Sequence, residues 1–550
     1  MDKREIDMKD FTPMLFTSLK SYSKEQFVKD AVSGVIVAII ALPLSIALAL
    51  ASGVGPEQGI YTAIVAGFLI SFFGGSTVQI AGPTAAFATI VAGIVARQGM
   101  EGLTLATIMA GLILVIMGIF RFGGLIKYIP YTITTGFTAG IAVTIFLGQL
   151  KDFFGVKYMH GEAPIETLEK VEALINNFST WNVWAMVVGL ICLAILIVYP
   201  MFEKRVPPSL VAVIVSSIIV KLFALPVNTI GDLYTISSGL PAIHMPVFSI
   251  SGISAVLPDA FTIAILAGIE SLLSCVVADG MVNTRHRSNM ELVAQGIGNV
   301  GSALFGGIPA TGAIARTAAN IKSGGRTPVA GMVHAIVLLL VLLVLMPLAA
   351  LIPMPCIAAI LFIVAYNMCQ WRPFVKLVKT APKSDILVLV LTFVLTVVFD
   401  LVVAIEVGMV LACLLFMKRM SDETYVSGWK DEGIVGGEIR KIPMNVRVYE
   451  ISGPMFFGAA GQIDDISLEE NTSVLVLRMR SVPAVDATAL NSLEKLYARC
   501  AEQNVTLIMS HVNEQPLNAM EKSGLAEKIG KDNFCPCIEK ALERADILTL

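Results

Sequence analysis

Charged residues are scarce in this chain of 550 residues: only 15 % are Asp, Glu, Lys or Arg, whereas 56 % are hydrophobic. A soluble globular chain has about 25 % charged residues, so this one has too few polar side chains to cover a soluble surface. Most of it is therefore expected to lie among membrane lipids. A basic excess is also absent, with 39 Lys and Arg against 42 Asp and Glu, which argues against nucleic-acid binding.

Closely spaced cysteines are lacking as well. The eight cysteines are scattered, and the nearest two, Cys535 and Cys537, have C-x-C spacing in a charged segment. No C-x-x-C pair occurs, so neither a disulfide framework nor a zinc site is indicated. We expect no cofactor and no metal.

Long uncharged runs are present instead. A membrane-spanning helix needs about 20 apolar residues, so the longer runs each hold two crossings. Turns are expected at 74–77 and 347–355, and the apolar region ends near Met417. The runs without Asp, Glu, Lys or Arg are 31–56, 58–96, 102–120, 129–150 and 327–371.

Basic residues indicate the orientation, because Lys and Arg accumulate in cytoplasmic loops. With the N-terminus inside, Arg285, Arg287, Lys418 and Arg419 all fall on the cytoplasmic side. The pattern requires an even number of crossings, roughly twelve to fourteen. It predicts a multi-pass protein of the plasma membrane, the inner membrane in a bacterium, with both termini cytoplasmic.

The sequence changes character after Tyr425. Short β-rich runs at 446–451, 473–479 and 505–510 alternate with helical spacing of leucines over 488–504, which predicts a cytoplasmic α/β domain with a mainly parallel or mixed sheet. The predicted parts of the chain are an N-terminal cytoplasmic segment (1–29), a transmembrane domain (30–417), a linker (418–440) and the α/β domain (441–550).

Two charged side chains lie where lipid is expected. Glu270 is central in the otherwise uncharged stretch 260–278, and Arg316 ends the irregular stretch 308–316. A charge near the centre of a span costs at least about 2.5 kcal/mol, so each is a candidate functional residue. The structural alternatives are an interhelical ion pair for either residue, or an arginine that reaches the membrane surface.

Stretches interrupted by Gly and Pro occur at matching places. Residues 79–86 follow the start of the first span, and residues 309–316 follow the start of the span near Pro258, each by about 50 residues. Such pairs are typical of the central site of an inverted-repeat transporter. A half-helix that begins inside the membrane directs free N–H groups at its ligand, so two of them beside Arg316 predict an anion site. The alternative is that Gly and Pro are simply common in membrane helices.

Gly296, Gly298 and Gly301 match the nucleotide-binding pattern G-x-G-x-x-G. No strand is predicted before them and no acidic residue follows at the required distance. We expect a close-packing face of small residues between helices instead.

An ordered set of motifs along almost the whole chain resembles the sulfate permease (SulP) anion transporters. Residues 441–550 resemble the STAS module that follows the membrane region in that family. The motifs are Ala41-Leu-Pro-Leu44, Ala81-Gly-Pro-Thr-Ala85, Ala267-Gly-Ile-Glu-Ser-Leu-Leu273, Ala313-Ile-Ala-Arg-Thr-Ala-Ala-Asn320 and Gly324-Gly-Arg-Thr-Pro328.

The resemblance implies about fourteen membrane segments in a seven-plus-seven inverted repeat, divided into a core and a gate, and a homodimer. It implies a cytoplasmic protein partner for the STAS domain and a coupling role for the acidic position of the eighth segment, here Glu270. It also implies that the anion lies between the broken third and tenth segments. The matching positions are Ala81, Gly82, Pro83, Thr84, Gly312, Ala313, Ile314, Ala315 and Arg316.

Two positions depart from the family pattern. In sodium-coupled bicarbonate members, hydroxyl groups of the eighth and tenth segments help to hold the cation. Ser274 supplies one hydroxyl here, but Ile314 stands where a threonine is wanted, and a hard cation needs oxygen ligands.

In the STAS module, the phosphorylatable Asp-Ser stretch reads Asp486-Ala-Thr488. Thr488 is a candidate regulatory residue, with helix capping as the preferred role.

These features predict a secondary active transporter of small anions, either a sulfate-type inorganic anion or a C4-dicarboxylate, coupled to protons in preference to sodium. The alternatives are a sodium-coupled bicarbonate transporter, a passive anion channel, and a nucleobase carrier of the same fold. Nucleobase carriers have carboxylates at both central segments, whereas this chain has Arg316 in one. No Ser/His/Asp or nucleotide-binding constellation is recognised, so no enzyme is expected.

Overall fold

The computed structural model describes residues 11–124, 129–158, 164, 166–203, 206–234, 239–246, 249–399, 401–429, 432–435, 438–469 and 471–549. The chain forms two compact units, one ending at Met409 and the other beginning at Val410. The division falls inside a helix, before the boundary expected at residue 417.

The described residues in the first half of the first unit form helices and one two-residue strand, joined by loops. Its long second helix begins at Lys24, before the boundary expected at residue 30. The Ser23 hydroxyl caps this helix by accepting a hydrogen bond from the Gln26 N–H. The elements are α1 Met14–Ser18, α2 Lys24–Ala51, α3 Pro56–Phe73, β1 Ala81–Gly82, α4 Ala88–Ile119, α5 Tyr131–Phe154, α6 Thr167–Asn176, α7 Val183–Phe202, α8 Pro208–Leu222 and α9 Ile230–Leu233.

The second half repeats this order. The elements are α10 Ile250–Val282, α11 Ser288–Leu304, β2 Thr311–Gly312, α12 Ile314–Lys322, α13 Val329–Ala349, α14 Met354–Cys369, α15 Trp371–Thr380, α16 Lys383–Val398 and α17 Leu401–Asp422. In α4 the left-handed φ of 68° at Gly99 kinks the helix, and such a φ favours glycine. The two parts of α4 correspond in order to α12 and α13. In the described residues, each half thus has seven segments in the same order, with an amphipathic helix of 10 residues, α6 or α15, between the fifth and the sixth. The short helices α1 and α9 of the first half have no counterpart among the described elements of the second.

Seven helices in the described part of the chain are long and apolar enough to cross a membrane. They are Lys24–Ala51, Ala85–Ile119, Tyr131–Phe154, Val183–Phe202, Ile250–Val282, Val329–Ala349 and Met354–Thr380, and Pro208–Leu222 is a shorter apolar helix. Together with the repeated order of elements, they make the first unit a polytopic helical membrane domain, as the sequence predicts.

The glycine-rich face at Gly296–Gly301 packs against neighbouring helices. A Cβ on Gly296 would meet the carbonyl oxygen of Gly111, and one on Gly298 would lie 2.5 Å from the side chain of Ile70. Any larger residue would push the helices apart. The prediction of a packing face, as opposed to a nucleotide site, is confirmed.

The second unit is an α/β domain with a mixed five-stranded sheet of order β3-β6-β7-β8-β9, in which only β3 is antiparallel to its neighbour. Apolar side chains pack on both faces of this sheet. The strands are β3 Tyr425–Gly428, β4 Glu432–Val435, β5 Glu438–Lys441, β6 Val446–Ser452, β7 Val474–Ser481, β8 Thr506–Ser510 and β9 Phe534–Cys535. The helices are α18 Gly461–Asp464, α19 Ala487–Glu502, α20 Glu514–Ser523, α21 Leu525–Ile529 and α22 Ile538–Thr549.

The three predicted β-rich runs correspond to β6, β7 and β8, and the predicted helix corresponds to α19. The stretch expected as a linker, 418–440, differs from the expectation. It contains β3, whose residues Tyr425 and Gly428 pair with Ser452 and Tyr449 of β6, so the sheet begins before residue 441.

Candidate anion site

The two interrupted stretches meet in the structure. β1 and β2 pair in antiparallel fashion, with Ala81 opposite Gly312 and Gly82 opposite Thr311. The Ala313 N–H donates to the Ile80 carbonyl at 2.8 Å. Segments more than 200 residues apart in sequence are therefore joined directly in front of two helix beginnings.

Extended backbone inside a membrane needs internal partners for its polar groups, and side chains supply them here. In the first stretch the Ile80 N–H donates to the Thr317 hydroxyl at 3.0 Å. In the second stretch the Asn299 side chain both accepts from the Ala310 N–H at 2.8 Å and donates to the Ala310 carbonyl at 2.9 Å. These contacts hold both stretches in place without a longer sheet.

Each stretch leads into a helix beginning. After Thr84 the chain enters a 3₁₀ turn, Ala85–Phe87, and then α4. α12 begins at Ile314, and its first intrahelical bond runs from the Thr317 N–H to the Ala313 carbonyl at 2.9 Å. The N–H groups of residues 314–316 come before that bond. These N–H groups have no acceptor within the helix and can donate to a ligand.

Both helix beginnings line one cavity of about 720 Å³. Apolar side chains of α2, α5 and α14 form much of the remaining wall, including Leu44, Phe137 and Ile360. Ala81 and Gly82 lie behind the cavity in β1 and do not line it. The predicted site residues that do line it are Pro83, Thr84, Glu270, Gly312, Ala313, Ile314, Ala315 and Arg316.

Arg316 is almost fully buried, with 2 % of its surface exposed. One guanidinium nitrogen, Nη2, donates to the Pro83 carbonyl at 3.2 Å and to the Ser45 hydroxyl at 3.4 Å. Within the described residues the other nitrogen, Nη1, has no hydrogen-bond partner. It lies against Gly82, where a Cβ would collide with it. The positive charge is thus held in position by neutral groups only.

Glu270 is bound by hydroxyl groups. Its Oε2 accepts hydrogen bonds from Thr84 Oγ1 and Thr311 Oγ1, each at 3.0 Å, and these two hydroxyl oxygens lie 3.2 Å apart. The carboxylate therefore connects α10 to both interrupted stretches. No basic side chain of the described chain lies within ion-pair distance of Glu270, so the expected alternative of an interhelical ion pair does not apply to Glu270 or Arg316.

Ser274 does not join this cluster. It is 1 % exposed, and its hydroxyl has no hydrogen-bond partner among the described residues. Ile314 lies on the cavity wall with 39 % of its surface exposed and offers no oxygen.

Two residues with hydroxyl groups at the site, Thr311 and Ser271, were not predicted from the sequence. Thr311 binds Glu270, and Ser271 accepts a hydrogen bond from the Gly312 N–H at 3.0 Å. Single Ser and Thr residues are common in membrane helices and carry no signal by themselves. The one available sign was that Thr311 lies within the second interrupted stretch, as Thr84 lies within the first.

The expected capping role of Thr488 is wrong. Asp486 is the N-cap of α19: its side chain accepts from the Ala489 N–H at 2.8 Å and from the Phe457 N–H at 2.9 Å. Thr488 is exposed in the first turn of the helix instead. Asp has a capping preference at least equal to that of Thr, and it comes first in the chain.

A Ser/His/Asp cluster that the sequence analysis did not recognise joins α10 to α11. His286 Nδ1 lies 2.7 Å from Asp279 Oδ2, and Ser288 Oγ lies 2.9 Å from His286 Nε2. The same carboxylate oxygen also accepts the His286 backbone N–H at 2.9 Å. The cluster thus closes the short loop between two helices.

Comparison with known proteins agrees with this architecture. Residues 27–392 match the sulfate permease family and residues 439–541 match the STAS domain. The chain is 39 % identical over 520 residues to YvdB of Bacillus subtilis (strain 168), which is named as a sulfate transporter; the match covers 94 % of this chain and 97 % of that one. It is 32 % identical over 549 residues to the bicarbonate transporter BicA of Picosynechococcus sp., covering 94 % of each chain.

Solved structures share the fold. The transmembrane domain of a cyanobacterial bicarbonate transporter BicA is similar with a TM-score of 0.64 and 34 % identity, covering 70 % of this chain and 98 % of that one. The murine anion transporter Slc26a9 in its inward-facing state is similar with a TM-score of 0.88 and 18 % identity, covering 100 % of this chain and 95 % of that one. This chain therefore belongs to the sulfate permease family, with a multi-pass membrane domain followed by a STAS domain.

Proposed function

We propose that this protein is a proton-coupled secondary active transporter of small anions, held between the beginnings of α4 and α12. The observation that carries the proposal is the buried Arg316, which lines the cavity without any carboxylate partner in the described structure. A buried charge without a partner is strongly unfavourable. An anion in the cavity supplies the missing negative charge.

Sulfate-type inorganic anions and C4-dicarboxylates are the proposed substrates. Two rows of N–H groups and one guanidinium recognise a negative oxygen on any of these anions. The cavity of about 720 Å³ has room for a C4-dicarboxylate or for a smaller anion with some of its water. Relatives named for sulfate and for bicarbonate support the class of substrate.

Glu270 is the proposed proton-coupling residue. Its carboxyl group and Arg316 line the same cavity, so an ionised Glu270 repels an incoming anion. Protonation removes that repulsion. Anion and proton therefore bind more tightly together than separately, which is the coupling that symport requires.

Sodium coupling is the second candidate. Glu270 Oε2, Thr84 Oγ1 and Thr311 Oγ1 lie within 3.2 Å of one another, and oxygen atoms of this kind bind hard cations. Against it, Ser274 stays outside the cluster and Ile314 offers no oxygen. A passive channel and a nucleobase carrier are less well supported, since the cavity is lined by both an arginine and a carboxyl group.

The proposal extends to the setting of the protein. We propose that the protein is a homodimer in the plasma membrane. We also propose that both termini lie in the cytoplasm, because the basic residues then fall on the cytoplasmic side. The STAS domain would bind a cytoplasmic protein partner. Thr488 is exposed at the beginning of α19, where phosphate is favoured by the helix dipole, and we propose it as a regulatory phosphorylation site.

Uptake of labelled sulfate, bicarbonate and succinate into proteoliposomes tests the proposal, with a pH or a sodium gradient imposed separately. We expect accumulation driven by the pH gradient. Arg316→Ala should lose anion binding, whereas Arg97→Ala is the matched control, because Arg97 pairs with Asp259 and lies outside the cavity lining. Unchanged affinity in purified Arg316→Ala would refute the anion site.

A further inference from the structure

The Thr84 hydroxyl occupies a position between Glu270 and the cavity. It donates to Glu270 Oε2 at 3.0 Å, and Thr84 is partly exposed and lines the cavity. Thr311 donates to the same oxygen at 3.0 Å but is fully buried, with 0 % of its surface exposed. One carboxylate oxygen thus binds two hydroxyl groups, and only one of them can reach an anion.

The charge of Glu270 decides what these hydroxyl groups can do. An ionised carboxylate only accepts hydrogen bonds, and each hydroxyl has a single proton to donate. While Glu270 is ionised, the proton of Thr84 is therefore used on Oε2 and is not available to a substrate.

A proton bound at Oε2 reverses the direction of the Thr84 contact. The new O–H of Glu270 donates to the oxygen of Thr84 across the same 3.0 Å. Thr84 then turns its own O–H towards the cavity, and the Thr311 O–H turns to the Thr84 oxygen at 3.2 Å or to the Gly312 carbonyl at 3.4 Å. One O–H bond forms at Glu270 with a proton from solution, no bond of the protein breaks, and every donor has an acceptor once an anion is in the cavity.

We propose that Thr84 is the coupling switch of this transporter: its hydroxyl binds Glu270 when Glu270 is ionised and binds the anion when Glu270 is protonated. Thr311, which is buried away from the cavity, also donates to the ionised carboxylate and so stabilises the ionised form. Thr311 thereby sets the pH at which the switch operates. This inference rests on the proposed function and deepens it, since it assigns the coupling to hydroxyl groups beside the acid.

Other charged groups lie on the helices packed against α10 and on the wall of the cavity. On helices packed against α10, Arg97 binds Asp259, and Glu291 accepts hydrogen bonds from Gly75, Gln79 and Gln295. Three further charged groups line the same cavity: Arg316, Lys322 and Glu203. Arg316 keeps its charge throughout the accessible pH range.

Anion affinity measured against pH tests the switch, using purified full-length protein with labelled sulfate and labelled succinate as probes. Wild-type affinity should rise as the pH falls. Thr84→Val should lose about tenfold of the affinity at low pH, the size of one hydrogen bond to a charged group, and nothing at high pH. Thr84→Ser keeps the hydroxyl and should restore the wild-type profile. A role of Thr84 in folding alone would lower affinity equally at both ends.

Thr311→Val and Glu270→Gln complete the test. Thr311→Val should keep the affinity gain but move its midpoint to higher pH, because the ionised form has lost a donor. Glu270→Gln should bind anion without pH dependence and should exchange it, while failing to accumulate it on a pH gradient.

The outcomes separate this inference from the proposed function. Wild-type protein that binds none of the probes would overturn the anion site itself. Binding with an unaltered pH profile in Thr84→Val would overturn the switch and leave the anion site standing. Affinity that follows sodium at constant pH, and loses that dependence in Thr84→Val, would show that the hydroxyl cluster holds sodium and would also overturn the switch.

Discussion

Gly82 keeps Arg316 in its position, and the substitution Gly82→Ala tests this directly. A Cβ built on Gly82 would collide with Arg316 Nη1. Gly82 does not have a left-handed φ, so alanine fits the backbone and the perturbation is confined to the contact. The guanidinium must then move away from β1.

The expected loss follows from the contacts of Arg316. Nη2 donates to the Pro83 carbonyl at 3.2 Å and to the Ser45 hydroxyl at 3.4 Å, and these contacts hold the guanidinium beside the cavity. A guanidinium displaced from this position is expected to lose one charge-assisted hydrogen bond to the anion. A hydrogen bond to a charged group contributes about 1.5–3 kcal/mol. Anion affinity should therefore fall by about tenfold to a hundredfold, since 1.4 kcal/mol corresponds to a factor of ten.

Equilibrium binding of labelled sulfate to purified protein measures this loss. Gly93→Ala is the matched control: its Cβ would lie 3.4 Å from Nη1 of Arg97, an arginine that does not line the cavity. We expect near wild-type affinity for the control. Wild-type affinity in Gly82→Ala, at wild-type thermal stability, would refute the idea that β1 positions the arginine.

Three further substitutions or treatments test other parts of the structure. Asn299→Leu removes both hydrogen bonds to Ala310, so the melting temperature of the detergent-purified protein should fall; an unchanged value would contradict the role assigned to Asn299. Asp486→Ala removes the α19 cap on the Ala489 N–H and should destabilise the STAS domain by about 1–2 kcal/mol in urea unfolding, while an unchanged midpoint would argue against capping. Burial raises the pKa of the Cys500 thiol to about 11, so iodoacetamide should modify it at about pH 8.5 only after unfolding, and rapid labelling of folded protein would contradict this.

The membrane domain was predictable where hydrophobicity alone decides. The uncharged runs located α2 to α5, α13 and α14, but not α7 or α10. The expected turn at 74–77 follows the end of α3, whereas the turn expected at 347–355 is shorter, at 350–353, because α13 continues through Pro347 to Ala349. The short amphipathic helices α6 and α15 were not predicted, because charged residues interrupt them and neither is long enough to span a bilayer. Their matching places in the two halves become visible only when the repeat is known.

Two features of the sequence made the site predictable: charged residues in apolar stretches, and helices interrupted by Gly and Pro. Glu270 and Arg316 stood out because charges in lipid are rare, and the Gly/Pro pattern identified the two stretches. The pairing of Gly82 with Thr311 was beyond reach, since it joins distant parts of the chain by backbone contacts. Thr311 therefore had no recognisable role until that pairing was known.

The charges of the cavity also bear on which anion is carried. In the proposed cycle, the site without substrate contains Arg316 and an ionised Glu270, and no ion pair joins the two in the described structure. A direct ion pair would satisfy the guanidinium and compete with the substrate. Kept apart, Arg316 and Glu270 sum to zero charge, and Lys322 and Glu203, which also line the cavity, add one charge of each sign. With one proton on Glu270 and one monovalent anion beside Arg316, the sum is again zero.

A site that is neutral both empty and loaded avoids moving net charge through a medium where charge is unfavourable. A divalent anion with one proton leaves one negative charge in the cavity. We therefore expect bicarbonate or monoprotonated succinate to be taken up independently of an imposed membrane potential, and sulfate uptake to respond to it. Proteoliposomes with a potassium diffusion potential distinguish the two cases at fixed pH gradient. Potential-independent sulfate uptake would mean that a second proton binds, and Glu270 would then not be the sole proton site.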